Sequence, residues 1–151
     1  MTEFKFTNDH SPSQIGNIID VLRRPRLWIP TEQDYPNHDV WLDRVEAQVL
    51  AGTKRAMLAY HEGRPVGAVV YQRHTDRSDV LEIKNISVDP EAAGRYVGSF
   101  LLHNSVLEAE KVDFPGVEEV TVDTKQTNRG MIKFLLDHEY VLQEVTARHL
   151  I

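Results

Sequence analysis

The 151-residue chain contains no cysteine. This absence excludes disulfide bonds, thiolate metal sites and a cysteine nucleophile. Long apolar runs are missing too, since no stretch approaches the roughly 20 residues that cross a bilayer, and the N-terminus has neither the basic nor the apolar region of a signal peptide. We therefore expect a cytoplasmic protein without a membrane partner.

Positive charge is scarce, because 17 Lys and Arg residues stand against 23 Asp and Glu, a formal net charge of −6. This balance opposes binding to nucleic acid. The seven histidines show no ligand spacing such as HExxH, so no metal site is predicted. The length and the 41% hydrophobic content suit one core, which predicts a single domain over residues 1–151.

Hydrophobic periodicity predicts a mixed α/β chain. Ser11-Pro12-Ser13-Gln14 has a capping-box arrangement with proline at the first helical position, which predicts a first helix that runs to about Arg23. Asn37 is a plausible N-cap for a second helix, which Gly52 closes. The remaining predicted elements are strands over 56–60, 66–71, 80–88, 117–123 and 140–146, and helices over 97–111 and 128–138. The strand–helix–strand crossover of the second half requires two parallel strands.

The apolar alternation of the strand over 80–88 slips by one residue after Ile83, since the next apolar positions are Ile86 and Val88. A β-bulge around Lys84-Asn85 is the simplest account, because an extra residue keeps both apolar pairs on one face. Such a bulge leaves backbone groups unpaired. They can bind an extended, amide-containing ligand.

The same strand ends at Pro90 and leads through a glycine-containing turn into a helix. Gly94 and Gly98 permit close backbone approach, and the start of a helix offers N–H groups and partial positive charge to a phosphate. A bulged strand followed by this turn fits a ligand with phosphates at one end and a peptide-like arm at the other. Coenzyme A has that shape.

The segment ISVDPEAAGRYVGSFLL resembles the acyl-CoA-binding segment of the GCN5-related N-acetyltransferase (GNAT) superfamily, and DTKQTNRGMIKFLLDHEY resembles its next conserved block. The resemblance covers about Ala56 to Val145, and before Ala56 it implies only the order strand, helix, helix. It implies an α/β fold whose mixed, mostly antiparallel sheet has a central parallel strand pair splayed at a β-bulge, with helices on both faces.

The resemblance also implies an N-acyltransferase that moves an acetyl or other short acyl group from acyl-CoA, with acetyl-CoA as the expected donor, to an amine that attacks directly. Two turn positions depart from the family pattern, where Ala93 replaces Arg or Gln and Tyr96 replaces glycine. The implied CoA-binding residues are Ile86, Ser87, Val88, Gly94, Arg95, Tyr96, Val97, Gly98, Ser99 and Asn128. Asn128 is also a plausible helix N-cap, and both roles are compatible.

Glu82 is the leading candidate for the general base, because several relatives in this superfamily place a carboxylate on that strand. A solvated strand glutamate is the alternative, and Asp123, acting through a water, remains a second candidate. His74 and His103 are further candidates, because histidine is the side chain suited to proton transfer near neutral pH, but the sequence shows no partner for either.

The family's usual acid, a tyrosine, is Leu135 in this chain, and Tyr140 lies five residues later. Tyr140 is therefore the candidate acid, with packing as its default role. Tyr96 and water are the other candidates, and an unassisted departure of the thiolate is also open, since a thiol pKa near 8.5 makes it a tolerable leaving group.

Trp28, Tyr35 and Trp41 lie in or beside the proline-rich loop between the first two helices, a region that commonly borders the acceptor pocket in this superfamily. Packing of the helix pair onto the sheet explains these aromatic residues at least as well. The acceptor is expected to be a small amine or a protein amino group, and the protein a monomer or homodimer. Two other classes stay open: a non-catalytic acyl-CoA-binding or regulatory module, and an interaction protein that reuses the fold.

Overall fold

The structure, a computed structural model, describes residues 4–7, 11–23, 38–89, 92, 96–122 and 129–141. Five strands of these ranges form one sheet in the order β1-β2-β3-β4-β5. Neighbouring strands are antiparallel except β4 and β5, which are parallel. The strands are β1 (Phe4–Thr7), β2 (Arg55–His61), β3 (Arg64–Arg73), β4 (Val80–Val88) and β5 (Glu119–Val122).

Within the described ranges, four helices accompany the sheet, and their bounds agree closely with the sequence prediction. They are α1 (Pro12–Arg23), α2 (His38–Leu50), α3 (Val97–Glu108) and α4 (Arg129–Asp137). Helix α3 continues as a π-helical turn over Ala109–Asp113. The mixed α/β fold with a parallel strand pair is confirmed. The pattern along the chain missed β1, which only the family resemblance implied.

Local chemistry explains the element boundaries. The N–H of Ile15 donates to the carbonyl of Ser11 over 2.9 Å, so α1 begins at its predicted cap with proline in the first turn. The β2–β3 hairpin turns at Glu62 and Gly63, whose φ angles of 52° and 78° are both left-handed. Two such residues match the twist of the flanking strands.

The predicted final strand is only partly described. Tyr140 and Val141 follow α4 without strand structure, and residues 142–146 lie outside the described residues. The parallel pair therefore lies at one end of the described sheet. Asn37 and the proline-rich segment with Trp28 and Tyr35 also lie outside the described residues.

Each face of the sheet carries its own apolar core. On β3, Val69 and Tyr71 belong to the cluster formed with α3 and α4, whereas Ala68 and Val70 belong to the cluster formed with α1 and α2. This is the alternation expected of a strand buried on both sides. We call the two sides the α3 face and the α1–α2 face, and the prediction of helices on both faces is confirmed.

Helix α3 packs directly on the sheet backbone at Gly67. A Cβ at Gly67 would lie 3.0 Å from Cδ1 of Leu101, 3.1 Å from Cγ1 of Val97 and 3.2 Å from the carbonyl oxygen of Ser87. All three neighbours lie in buried residues. The missing side chain at Gly67 therefore sets how closely the first two turns of α3 approach β3 and β4.

The far end of α3 is anchored by polar contacts. The hydroxyl of the fully buried Tyr71 donates to Oδ2 of Asp113 over 2.7 Å, and Nε of Arg55 lies 3.2 Å from Oδ1 of the same carboxylate. Burial, followed by the hydrogen bond to Asp113, raises the pKa of Tyr71 far above its usual value, so the phenol stays a neutral donor. Together these contacts fix both ends of α3 against the sheet.

Candidate functional site

The bulge lies where the apolar pattern predicted it. Val70 pairs with Asn85 and Tyr71 pairs with Ile83, so Lys84 is the extra residue on β4. The two strands otherwise stay in antiparallel register from Arg73 to Gly67. The bulge changes the direction of β4 without turning its apolar side chains into solvent.

Beyond the bulge, alternate backbone groups of β4 point toward and away from β3. The N–H of Asp89 donates to the carbonyl of Val66 over 2.7 Å, so by alternation the N–H groups of Ile86 and Val88 point to the other side. On that side, the described pairing with β5 ends at Ile83 and Val122. The amides of Ile86 and Val88 are therefore directed toward the region beyond the end of this pairing.

Ser87, a predicted cofactor contact, has its side chain turned away from the α3 face. It is fully buried, and its hydroxyl lies 2.5 Å from Oδ1 of Asn85, to which it donates. Its hydroxyl is thus used within the strand. By the same alternation, the backbone N–H of Ser87 points toward its partner Ala68 on β3, so neither its hydroxyl nor its amide is directed to the side where Ile86 and Val88 point.

The turn before α3 places Tyr96 as the N-cap with φ 65° and ψ 11°, the left-handed conformation. The first helical hydrogen bond runs from the N–H of Phe100 to the carbonyl of Tyr96 over 3.0 Å, so the N–H groups of Val97, Gly98 and Ser99 precede the helical ladder. The left-handed backbone gives a physical reason for the glycine of the family pattern at position 96. Gly94, Arg95 and Asn128 lie outside the described residues.

Tyr96→Gly is expected to stabilise the protein by about 1 kcal/mol, because glycine adopts positive φ without the steric cost of a Cβ. The tyrosine side chain is 74% exposed, so little packing is lost. Urea unfolding measures the change. Tyr96→Ala is the control, since it removes the ring but keeps the left-handed cost, and an equal gain in both variants would contradict the explanation.

Ser99 in the first turn of α3 contacts His138, which follows α4. The Oγ atom of Ser99 lies 2.8 Å from Nε2 of His138, and Nδ1 of the same ring lies 2.7 Å from the carbonyl oxygen of Phe134. The imidazole also packs on the Phe134 ring, with 4.3 Å between the centroids. Helix α4 is thereby joined to the start of α3.

Glu82, the predicted general base, belongs to a chain of polar side chains next to the bulge. Nζ of Lys54 donates to Oε1 of Gln72, and Nε2 of Gln72 donates to Oε1 of Glu82 over 2.9 Å. Nζ of Lys84 lies 3.9 Å from the other carboxylate oxygen, Oε2. The carboxylate thus has one oxygen in a fixed hydrogen bond and the other beside an ammonium group.

Lys54 is unusually enclosed for a lysine, with 7% of its surface exposed. Burial, and then the charge of Lys84, lower its pKa, whereas the charge of Glu82 acts in the opposite direction. Because an ammonium group only donates, it fixes the orientation of the Gln72 amide, with the oxygen toward Lys54 and the nitrogen toward Glu82.

The two predicted catalytic residues lie on opposite faces of the sheet. Glu82 pairs with Gln72, next to the Ile83–Tyr71 pair of the α3 face, so its side chain is on the α1–α2 face. Tyr140 is half-buried against the α3-face cluster, and burial raises its pKa. The structure does not bring the two side chains together. A ligand between them would have to pass the sheet where β4 is bulged.

The other candidate residues have structural roles where they are described. Leu135, at the position of the family tyrosine, is 5% exposed in the α3-face cluster. Trp41 packs on the α1–α2 cluster, as the packing interpretation predicts. Nδ1 of His74 accepts hydrogen bonds from the backbone N–H groups of residues 76 and 77, at 3.0 and 3.2 Å, and so stabilises a turn. His103 is exposed. Asp123 lies outside the described residues.

Sequence reasoning missed Lys54, Gln72 and His138. Lys54 lies in a short connection before β2, Gln72 near the end of β3, and His138 was one of seven histidines without a recognisable spacing. Each gains its place only through contacts with a segment distant along the chain. No local signal marks them.

In the part of the chain that the structure describes, no helix combines the length and apolar character that a membrane span requires. No curated protein matches the sequence significantly. A large set of solved structures shares the fold.

Three solved structures illustrate this likeness. An aminoglycoside N-acetyltransferase in complex with CoA has a TM-score of 0.73 and 19% identity, over 97% of this chain and 93% of that one. An acetyltransferase from Trypanosoma brucei has a TM-score of 0.64 and 17% identity, over 95% and 96%. The diaminobutyrate acetyltransferase of Paenibacillus lautus, in complex with its substrate and coenzyme A, has a TM-score of 0.66 and 15% identity, over 91% and 75%.

At these identities the structures show the fold alone. The family itself is shown by a family model, that of the acetyltransferase (GNAT) family, which matches residues 19–139 and so most of the sequence. The match covers the whole of the first predicted block and the second as far as residue 139, and so runs from before the bulged strand to beyond the end of α4. The chain therefore belongs to the acetyltransferase (GNAT) family and is an acetyl-CoA-dependent N-acetyltransferase.

Proposed function

We propose that the backbone of β4 beyond the bulge binds the pantetheine arm and the thioester of acetyl-CoA, while the turn before α3 and its first amides bind the diphosphate. The observation that carries this proposal is the register shift at Lys84, after which the amides of Ile86 and Val88 point away from β3. An N–H group in that position can stabilise the oxyanion that develops on the attacked carbonyl.

In this scheme an amine attacks the thioester carbonyl, and Glu82 accepts a proton from the amine nitrogen, directly or through one water. The carbon–sulfur bond then breaks and the electron pair leaves with sulfur. Burial raises the pKa of Tyr140, so its phenol stays protonated and can donate a hydrogen bond to the departing thiolate, although the raised pKa also makes it a weaker acid. A thiolate also leaves without this help.

The Lys54–Gln72–Glu82 chain supports the assignment of Glu82. Gln72 presents a donor to Oε1, and an ionised carboxylate, which accepts hydrogen bonds and donates none, matches that donor. Oε1 thus accepts the hydrogen bond from Gln72, and Oε2, 3.9 Å from Nζ of Lys84, is the oxygen proposed to accept the proton from the amine or a water. The side chain is only 15% exposed, so little bulk water competes at this oxygen.

The acceptor is proposed to be an amine, either a small molecule or a protein amino group. Aminoglycosides and diaminobutyrate are named for proteins that share the fold, which supports an amine as the class of acceptor. The α1–α2 face, where Glu82 lies, is the proposed side of entry. A cytoplasmic location and a monomeric or homodimeric state remain predictions.

The test is thiol release from acetyl-CoA in the presence of a panel of amines that covers aminoglycosides, diamines, amino acids and peptides. We expect amine-dependent release of CoA. The absence of cysteine means that a thiol reagent reports only the product. Turnover on no amine, together with firm CoA binding, would contradict the catalytic scheme.

The buried Leu135 occupies the position of the family's acid and cannot protonate a leaving group. In this scheme the thiolate therefore relies on Tyr140 or leaves unaided. A thermal shift with CoA and no turnover in the same preparation would replace the scheme by a non-catalytic acyl-CoA-binding module.

A further inference from the structure

The Ser99–His138 pair has a hydrogen-bond direction that can be worked out atom by atom. The carbonyl of Phe134 only accepts, so Nδ1 of His138, 2.7 Å away, carries a hydrogen. In the neutral imidazole, Nε2 is then an acceptor. Ser99, 2.8 Å from Nε2, must donate its only hydroxyl hydrogen to the ring.

A bound diphosphate reverses this requirement. Phosphate oxygens accept hydrogen bonds, so Ser99 can donate to one only if its hydrogen is released from Nε2. Protonation of His138 achieves this, because Nε2–H then donates to Oγ and the serine hydrogen becomes available to the ligand. The imidazolium also adds positive charge beside the start of α3, where the helix dipole already favours an anion.

We propose that His138 is a positioning residue of the cofactor site, and that protonated His138 directs the hydroxyl of Ser99 toward the diphosphate of CoA. Binding of CoA then takes up a proton at His138. This inference rests on the proposed function, in which the first turn of α3 holds the diphosphate.

Among the described residues, the charged or titratable groups closest to His138 and Ser99 along the chain lie on or next to two elements. On α4, Lys133 and Asp137 pair with each other at 2.9 Å, and Glu139 follows the histidine as an exposed residue. On α3, the exposed His103 lies one turn beyond Ser99. His103 is thus the neighbour whose own titration must be separated from that of His138.

The experiment measures Kd by calorimetry at several pH values between 6 and 8.5. Dephospho-CoA is the ligand, because it keeps the diphosphate but lacks the 3′-phosphate, a group that titrates in this range. We expect Kd to rise about tenfold from pH 6 to pH 8.5, the loss expected for one hydrogen bond between charged groups. Kd rises with pH because dephospho-CoA binds preferentially to the protein in which His138 is protonated.

His138→Gln is the main variant, because its amide can donate to Ser99 at any pH and does not titrate. We expect a Kd near the parent's value at pH 6 and a flat profile. Ser99→Ala should bind more weakly and with a shallower profile than the parent, because only the charge of the imidazolium remains, and it keeps the histidine in case the glutamine variant folds poorly. His103→Gln, the matched control, should retain the parent's dependence on pH.

Pantetheine, which lacks the diphosphate, should bind with no pH dependence to all four proteins. If the parent binds dephospho-CoA and His138→Gln or Ser99→Ala keeps the parent's slope, the role of His138 is refuted and the cofactor site stands. If the parent binds neither CoA nor dephospho-CoA, the proposed cofactor site is wrong and this inference fails with it.

Discussion

Glu82→Gln is expected to lower kcat about 100-fold or more, while KM for acetyl-CoA stays close to that of the parent protein. A loss of about 100-fold in kcat is the size expected when a general base is removed. The amide cannot accept the proton of the attacking amine, but its oxygen can still accept the hydrogen bond from Gln72, so the local structure is preserved. Steady-state thiol release with a saturating amine measures both constants.

Glu46→Gln is the matched control, because Glu46 is an exposed glutamate on α2 with no part in the proposed site. Its kcat should equal that of the parent. If Glu82→Gln retains full kcat, Glu82 is a solvated strand residue, and Asp123 becomes the next candidate for substitution.

Gly67→Ala is expected to destabilise the protein by about 1–3 kcal/mol, the usual cost of forcing a methyl group into a packed core. The new Cβ would lie 3.0–3.2 Å from two buried side chains and a backbone oxygen, so α3 would have to move away from the sheet. The same movement displaces the proposed diphosphate site, and we expect weaker CoA binding. Urea unfolding and calorimetry measure the two effects.

Gly16→Ala provides the contrast. Gly16 lies inside α1, and a Cβ there meets no atom within 4 Å. Alanine should therefore stabilise the protein by about 0.5–1 kcal/mol through helix propensity alone. The same substitution thus has opposite signs at two positions. A gain in stability at both would show that α3 does not depend on close approach at Gly67.

The bulge could be predicted because β4 carries apolar residues on the α3 face both before and after it. Without an extra residue, the one-residue slip would have turned Ile86 and Val88 away from the α3 face. A bulge is therefore the register that keeps the apolar side chains before and after it buried on that face. Helix boundaries were predictable for a similar reason, since caps and turns use short local patterns. These features made the fold predictable, together with the place on it of the proposed cofactor site.

The polar contacts of the site could not be predicted in this way. Ser99 and His138 are 39 residues apart, and Lys54, Gln72 and Glu82 come from three separate segments. Their partners depend on how helices and strands pack, and periodicity carries no information on that. The sequence showed that Leu135 departs from the family pattern, but only packing shows that it is a core residue.

The division of the sheet into two faces separates two selective pressures. In the proposed scheme, residues of the first turn of α3 bind the acetyl-CoA donor, whereas residues around Glu82 on the other face meet the attacking amine. Substitutions that alter the choice of amine can therefore accumulate on the α1–α2 face without weakening the binding of acetyl-CoA. Changes of substrate in descendants of this chain should be concentrated on that face.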